Sequence, residues 1–448
     1  MSSVYIVHCI DTEGPLFEGI DETFLRLNDV FNLNIKPSKK NLNLLQNCKM
    51  NLNGLEIPVS KFLNSHRLKT FGSWDQINEM LEEACSEEFR NKLLDSDNNG
   101  WVYNWFCLDH VGYDGDNPRK RDLGHHKVFD FYNTIYNNNK NDNIQWHYHP
   151  LTATGNAHLC GTAYLNSNNI WEILSRKIID RLWFPSAFRP GFHTERPDSN
   201  WFLEQWIPFD YANQSVRDRD KGQVDLEHGR LGDWRNAPKD WIIYHPSHDN
   251  YQIVGNSRRW IARCLNLNSR IRELRSQDIE DAFIRASEGK KTLLSFTNHD
   301  WRDIRFEIDE VREKIYKVSK KYPTIKFYFS NSIEGIRNCL NLVPKKSNLS
   351  CIIEDNKNNK SKTLKVRSQY PLFGPQPYLA IKRKDGKYFW ENFDFQGYNY
   401  WSFTFDFQHF PPEFIDKIGI ASNSPEGVVE IQVYDMQNKT WKYNLIND

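Results

Sequence analysis

No C-x-x-C pair occurs among the eight cysteines of this 448-residue chain, which stand singly at Cys9, Cys48, Cys85, Cys107, Cys160, Cys264, Cys339 and Cys351. A zinc site built on thiolates is therefore not expected, and reduced thiols in a cytoplasmic protein are the simplest reading. Neither sign of charge is in excess. With 58 Lys+Arg against 58 Asp+Glu, no overall field draws the chain to nucleic acid or to an anionic membrane. No stretch approaches the roughly 20 apolar residues that span a bilayer. The apolar run at residues 4–10 has no basic segment before it, is broken by His8 and leads straight into Asp11, so it reads as a buried first strand and not as a signal peptide. No internal repeat is apparent.

What the chain does have is enough apolar and aromatic residues, 39% and 14%, for a large core and more than one domain. Up to about residue 340, short β-branched or aromatic runs (4–10, 101–108, 144–148, 186–189, 206–212, 241–245, 292–297 and 324–330) alternate with helical patterns at 73–94, 126–136, 170–182, 257–265, 276–287 and 301–321. That alternation predicts an α/β fold, a (β/α) barrel over residues 1–342, complete or incomplete, with an open doubly wound sheet as the alternative. Residues 35–70 and 214–238, rich in Asn, Lys, Asp and Arg, interrupt the pattern as long loops. Past residue 342 the period changes to two, and Asp385-Gly386 between two runs is a hairpin signal. A small antiparallel β-sandwich over residues 343–448 is expected, either completing the fold against the barrel or binding glycans through its aromatic rings.

Four polar clusters fall at the ends of strand-like runs: Asp11-Thr12-Glu13, His147-Tyr148-His149, Arg189-Pro190-Gly191 and Asn298-His299-Asp300. In a parallel barrel all strands end on one face, so groups far apart in sequence meet there. His147 and His149, two apart on a strand, leave on the same side and can share one divalent metal with a carboxylate from another strand end. Asp11 and Glu13 are spaced in the same way, and one of them serving as ligand and the other as base is an economical division. Arg189 offers a permanently charged fork to hold a carboxylate, and His299 an imidazole able to protonate a leaving group. Asp109 and His110 close the second strand run. With His126 in the next basic loop, and with His193, they are candidates to bind the substrate, including a carboxylate or phosphate on it.

The ordered set Asp11-Thr12-Glu13-Gly14, the His pair before Pro150, Phe188-Arg189-Pro190-Gly191 and a late strand ending in His299 resembles the motif series of the polysaccharide deacetylase family, the NodB-homology group or carbohydrate esterase family four. The resemblance runs over residues 4–340. It implies a deformed (β/α) barrel and a hydrolase with one divalent ion, usually zinc, that removes an N- or O-acetyl group from a sugar, in a member resembling those of surface-polysaccharide biosynthesis. By position Asp11 would be the general base, Glu13, His147 and His149 the metal ligands, Arg189 the residue orienting Asp11, and His299 the general acid. The family's usual adjacent Asp pair and its His residues separated by three are here Asp-x-Glu and His-x-His, which leaves His8, His158 and His193 as substitute ligands. Asp210 and Asp240 are candidates for the partner of the acid. The rival readings are a glycosidase using Asp11 and Glu13, another amidase, and a glycan-binding protein without catalysis.

Overall fold

The computed structural model describes residues 2–115, 117, 119–157, 159–217, 232–267, 273–356 and 360–448. Seven parallel strands close into a barrel: β1 (Ser3–Thr12), β2 (Tyr103–Leu108), β3 (Asn143–Tyr148), β4 (Ala187–Pro190), β5 (Phe209–Asn213), β6 (Trp260–Asn266) and β7 (Thr292–His299). β1 closes the ring by pairing with both β7 and β2. An eighth strand, β8 (Lys326–Phe329), lies beside only the first part of β1, at Ser3 to Ile6, whereas β2 takes the part from His8 to Thr12. β1 thus changes neighbour partway along. Asn104 spans that fork: its Nδ2 donates to the His8 carbonyl at 3.1 Å and its Oδ1 accepts from the Ser332 N–H at 2.6 Å. Backbone groups that the change of partner would leave bare are satisfied by this one side chain.

Every residue of β2, β3 and β5 is buried, because inward side chains fill the ring and outward ones meet helices. The helix Trp74–Ala84 buries Ile77, Met80, Leu81 and Ala84 at helical spacing behind a Ser73 cap. The long helix Ile304–Lys321 does the same with Ile304, Ile308, Val311, Ile315 and Val318.

Two sequence expectations are corrected here. Residues 257–265, read as helix, contain β6, and residues 241–245, read as a strand, contribute only an isolated bridge from Tyr244 to Ile261. β6 is buried on both faces, so its apolar residues do not alternate, and Ile261 and Leu265 imitate a helical stripe. The stretch 35–70 is not an open loop. It belongs to a helical insertion, Ile20–Phe31, Lys39–Gln46, Glu56–Phe62 and Ser65–Leu68, packed on Phe24, Leu27, Leu45, Val59, Phe62 and Leu63. Of the other expected loop, 214–238, positions 218–231 lie outside the described residues.

After the helix Ser332–Leu340 the chain builds two antiparallel sheets. One has the order β13 (Asp394–Gly397), β14 (Tyr400–Phe405), β10 (Lys362–Ser368), β9 (Leu349–Asp355). The other runs β12 (Tyr388–Glu391), β11 (Tyr378–Arg383), β15 (Ile415–Asn423), β16 (Val429–Asp435), β17 (Thr440–Ile446). Leu364, Val366 and Phe403 from the first sheet meet Leu379, Ile381, Ile418 and Ile420 from the second, the core of a sandwich. Asp385 and Gly386 turn the β11–β12 hairpin, Gly386 at φ +83°.

The other face of the five-stranded sheet belongs to the barrel's own core: Tyr378, Ala380, Ala421, Val429 and Ile431 join it against the helix Asn168–Arg181. Trp171 stacks on Trp390 with centroids 4.0 Å apart, and Asn423 donates to the carbonyls of Pro185 (2.8 Å) and Trp206 (2.9 Å). Among the described residues no helix is long and apolar enough to cross a membrane.

Candidate metal centre and active site

Strand register assembles the rim. Asp11 on β1 lies opposite His299 on β7, and His147 on β3 lies opposite Arg189 on β4. Strand alternation then decides direction: His147 and His149 face one another inside the mouth, while Tyr148 points out to Trp146, Tyr164 and the Ser167 hydroxyl.

Arg189 grips Asp11 with both arms, Nε to Oδ1 at 2.6 Å and Nη2 to Oδ2 at 3.0 Å, and its third nitrogen donates to the Tyr211 carbonyl. Burial alone would raise the Asp11 carboxyl, but Arg189 and the neighbouring imidazoles hold it far below the usual carboxylate range. Glu13 gives Oε2 to Arg121 and leaves Oε1 facing the imidazoles. It too is held well below its ordinary value, Arg121, His149 and His147 outweighing burial.

Among the described residues Glu13, His147 and His149 are the group that fits a metal ion. The two Nε2 atoms stand 2.9 Å apart, and Glu13 Oε1 lies 3.6 Å from each. A tetrahedral ion with bonds of about 2.0–2.1 Å spaces its ligand atoms by roughly 3.3 Å, between these values. His147 Nδ1 donates to the Arg189 carbonyl at 2.9 Å, which leaves a lone pair at Nε2, the tautomer a ligand needs. Burial lowers the His149 imidazole, with Glu13 opposing. It acts on His147 in the same sense, but Asp11 and Glu13 leave that imidazole above its ordinary value.

His299 Nε2 reaches the same point, 3.7 Å from Glu13 Oε1 and 3.9 Å from Asp11 Oδ2. Burial pushes it down to about 4, and its Nδ1 is without a hydrogen-bond partner among the described residues. The six residues expected to carry catalysis and metal are therefore all at one rim.

The expected substrate-binding residues divide. His110 and His193 border the site: the charges of Glu13, His147 and His149 act on the first, those of Arg189, Asp11 and His299 on the second. Among the described residues both nitrogens of His110 are buried without a hydrogen bond, and His193 Nε2 lies 3.2 Å from Asn266 Oδ1. Asp109 and His126 are turned away. Asp109 is buried against Lys177 at 2.8 Å and accepts the His126 N–H, while His126 Nε2 meets Asp180 at 3.2 Å.

Of the substitute ligands, His8 is held in the core between Asn298 (2.9 Å) and Trp101 (3.0 Å), and His158 lies outside the described residues. Neither candidate partner for the acid reaches His299. Asp210 is locked in a buried network with Arg259 and Glu195, and Asp240 pairs with Arg217 at the surface.

Two supporting residues were given no part in the site by the sequence. Arg121 was one of several basic residues in a loop, and only folding brings it to Glu13. Asp300 is fully buried, its Oδ1 accepting from the Glu13 N–H at 2.9 Å and its Oδ2 from the Gly14 N–H (3.0 Å) and the Tyr132 hydroxyl (2.9 Å). Burial raises this carboxyl to about 7 in spite of those donors. A carboxylate one residue past His299 was the available signal for it.

Set against known proteins, the chain matches no protein-family model and no curated protein.

Proposed function

We propose that this chain is a deacetylase that uses one divalent metal ion, zinc by the resemblance to polysaccharide deacetylases, to remove an N- or O-acetyl group from a sugar. One observation carries the reading: two imidazoles and a carboxylate converge as a donor set, with an arginine-held Asp11 and His299 within 4 Å of it. Glu13, His147 and His149 would hold the ion. When bound, such an ion polarises an acyl oxygen and acidifies water towards a pKa of about 7. Arg189 keeps Asp11 ionised and oriented, so that it accepts a proton from the attacking water. His299, beside Asp11 Oδ2 and neutral near pH 7, is placed to relay to the departing amine or alcohol the proton that the attacking water gives up. Burial of the ring of groups strengthens each of these interactions.

A glycosidase reading is weaker on this geometry. It needs one carboxyl kept protonated as general acid, whereas Asp11 and Glu13 are each bound by an arginine and held ionised.

Acetate release from N-acetylated and O-acetylated oligosaccharides tests the proposal. Chelation should abolish it and zinc restore it, and Asp11→Asn should keep the metal yet lose at least about a hundredfold in rate. Undiminished turnover by protein shown to be metal-free would reject it.

A further inference from the structure

We infer that the sandwich carries a second saccharide site, one that binds without reacting. The loop after β14, the segment leading into β15 and the loop after β16 enclose a cleft of about 830 Å³ at one end of the sandwich. That size lies within the range of about 300–1,000 Å³ typical of ligand sites. Its walls combine two chemistries. Phe407 and Met436 supply apolar surface, and Phe407 is 72% exposed, in a protein that buries most of its large rings. Around them stand Lys360 and Lys384 as donors and Glu413 and Asp416 as acceptors, beside a third lysine, Lys362, whose charge is taken up by Asp355. Among the described residues none of these four charged groups is in an ion pair, although each has a neighbour of opposite charge in the same cleft.

An exposed flat ring flanked by separated donors and acceptors is the complement of a pyranose, which has an apolar C–H face and a rim of hydroxyls. The two carboxylates repel a polyanion, and the two unpaired lysines repel a polycation. The occupant is therefore an uncharged or N-acetylated oligosaccharide. The site is built from the sandwich alone and stands whether or not the barrel deacetylates sugars. If the barrel does, the sandwich would hold the same chain near it and raise its local concentration.

The test is calorimetric titration of the full-length Asp11→Asn protein, in which the proposed hydrolysis is slowed at least about a hundredfold, with the N-acetylglucosamine tetramer, the cellulose tetramer and the galacturonic acid tetramer. Binding of at least one of the first two is expected, weakened about tenfold or more by Phe407→Ala, the loss of one aromatic anchor. Asp416→Asn should weaken it as well. Both variants should melt like their parent, since the Phe407 ring is largely exposed and Asn keeps the shape of Asp416. Affinity unchanged by both substitutions would place the ligand elsewhere and overturn the inference. No binding of either uncharged tetramer, or binding of the galacturonate alone, would overturn it too. Failure of the deacetylase proposal would show separately, as absent acetate release with this binding intact.

Discussion

Gly191 closes the turn after Arg189 with the His149 ring packed on its backbone: a β-carbon there would lie 2.3 Å from the imidazole Cδ2. The absent side chain lets the arginine that holds Asp11 and the histidine that faces Glu13 occupy neighbouring places. Gly191→Ala is expected to push that ring out of the donor set, so that zinc retained after gel filtration falls well below one equivalent while the far-ultraviolet circular dichroism is unchanged. One equivalent retained would show that the ring can yield without cost. At this scale the sequence was informative where a polar residue ended an apolar run, as with Asp11, Glu13, His147, His149, Arg189 and His299. It misled where the same signal served packing. Asp109 also follows a strand, yet its charge is used on Lys177, and no local pattern distinguishes a carboxylate that faces the mouth from one that faces a helix.

Between elements, Asp300 ties the turn after β1 to the end of β7, since one carboxylate takes both amides of Glu13 and Gly14. Asp300→Ala would strand two buried N–H groups and the Tyr132 hydroxyl, at a cost of about 3 kcal/mol or more. Urea denaturation of the metal-free protein measures this, and Asp300→Asn, which keeps one acceptor, should recover part of it. A loss below about 1 kcal/mol would mean that water replaces the carboxylate. Elements were legible when one face was polar. The amphipathic helix Ser276–Ser287 matches its expected bounds, and the β11–β12 hairpin follows from Asp385-Gly386. They were obscured when burial was two-sided, as in β6, or when Asn and Lys diluted a sparse apolar stripe, as in Lys39–Gln46 with its single buried Leu45.

For the whole molecule, the barrel and sandwich share a hydrophobic core across the helix Asn168–Arg181, the packing expected of a sandwich that completes the fold against the barrel. A protein ending at residue 342 would expose Trp171, Ile178 and Ile179, and it is expected to be recovered aggregated, whereas the full chain elutes as a compact species. A soluble, cooperatively melting fragment would show the barrel to be self-sufficient.

The same interface has an acid-sensitive tie. Asp180 accepts from Tyr388 at 2.7 Å and lies 3.2 Å from His126 and 3.7 Å from Lys382. Burial works to raise this carboxyl, but those partners hold it at about 2, below its ordinary 3.8. The unfolded chain therefore binds the proton more readily. The tie's contribution is complete above about pH 4 and fades as the pH falls through about 2. Asp180→Asn should flatten the melting temperature between pH 4 and 2 relative to the parent. Parallel profiles would remove Asp180 from the account.

The strand that carries Asp11 exchanges β8 for β2 partway along, and at that fork the ring is held by the Asn104 side chain and by the Ser330 N–H on the Ile6 carbonyl (3.0 Å). A seam gives first where its stitches are fewest. Thermal breathing should accordingly open the foot of the ring while the lip keeps its spacing, and the protein can flex without spoiling the aim of the groups that do its chemistry.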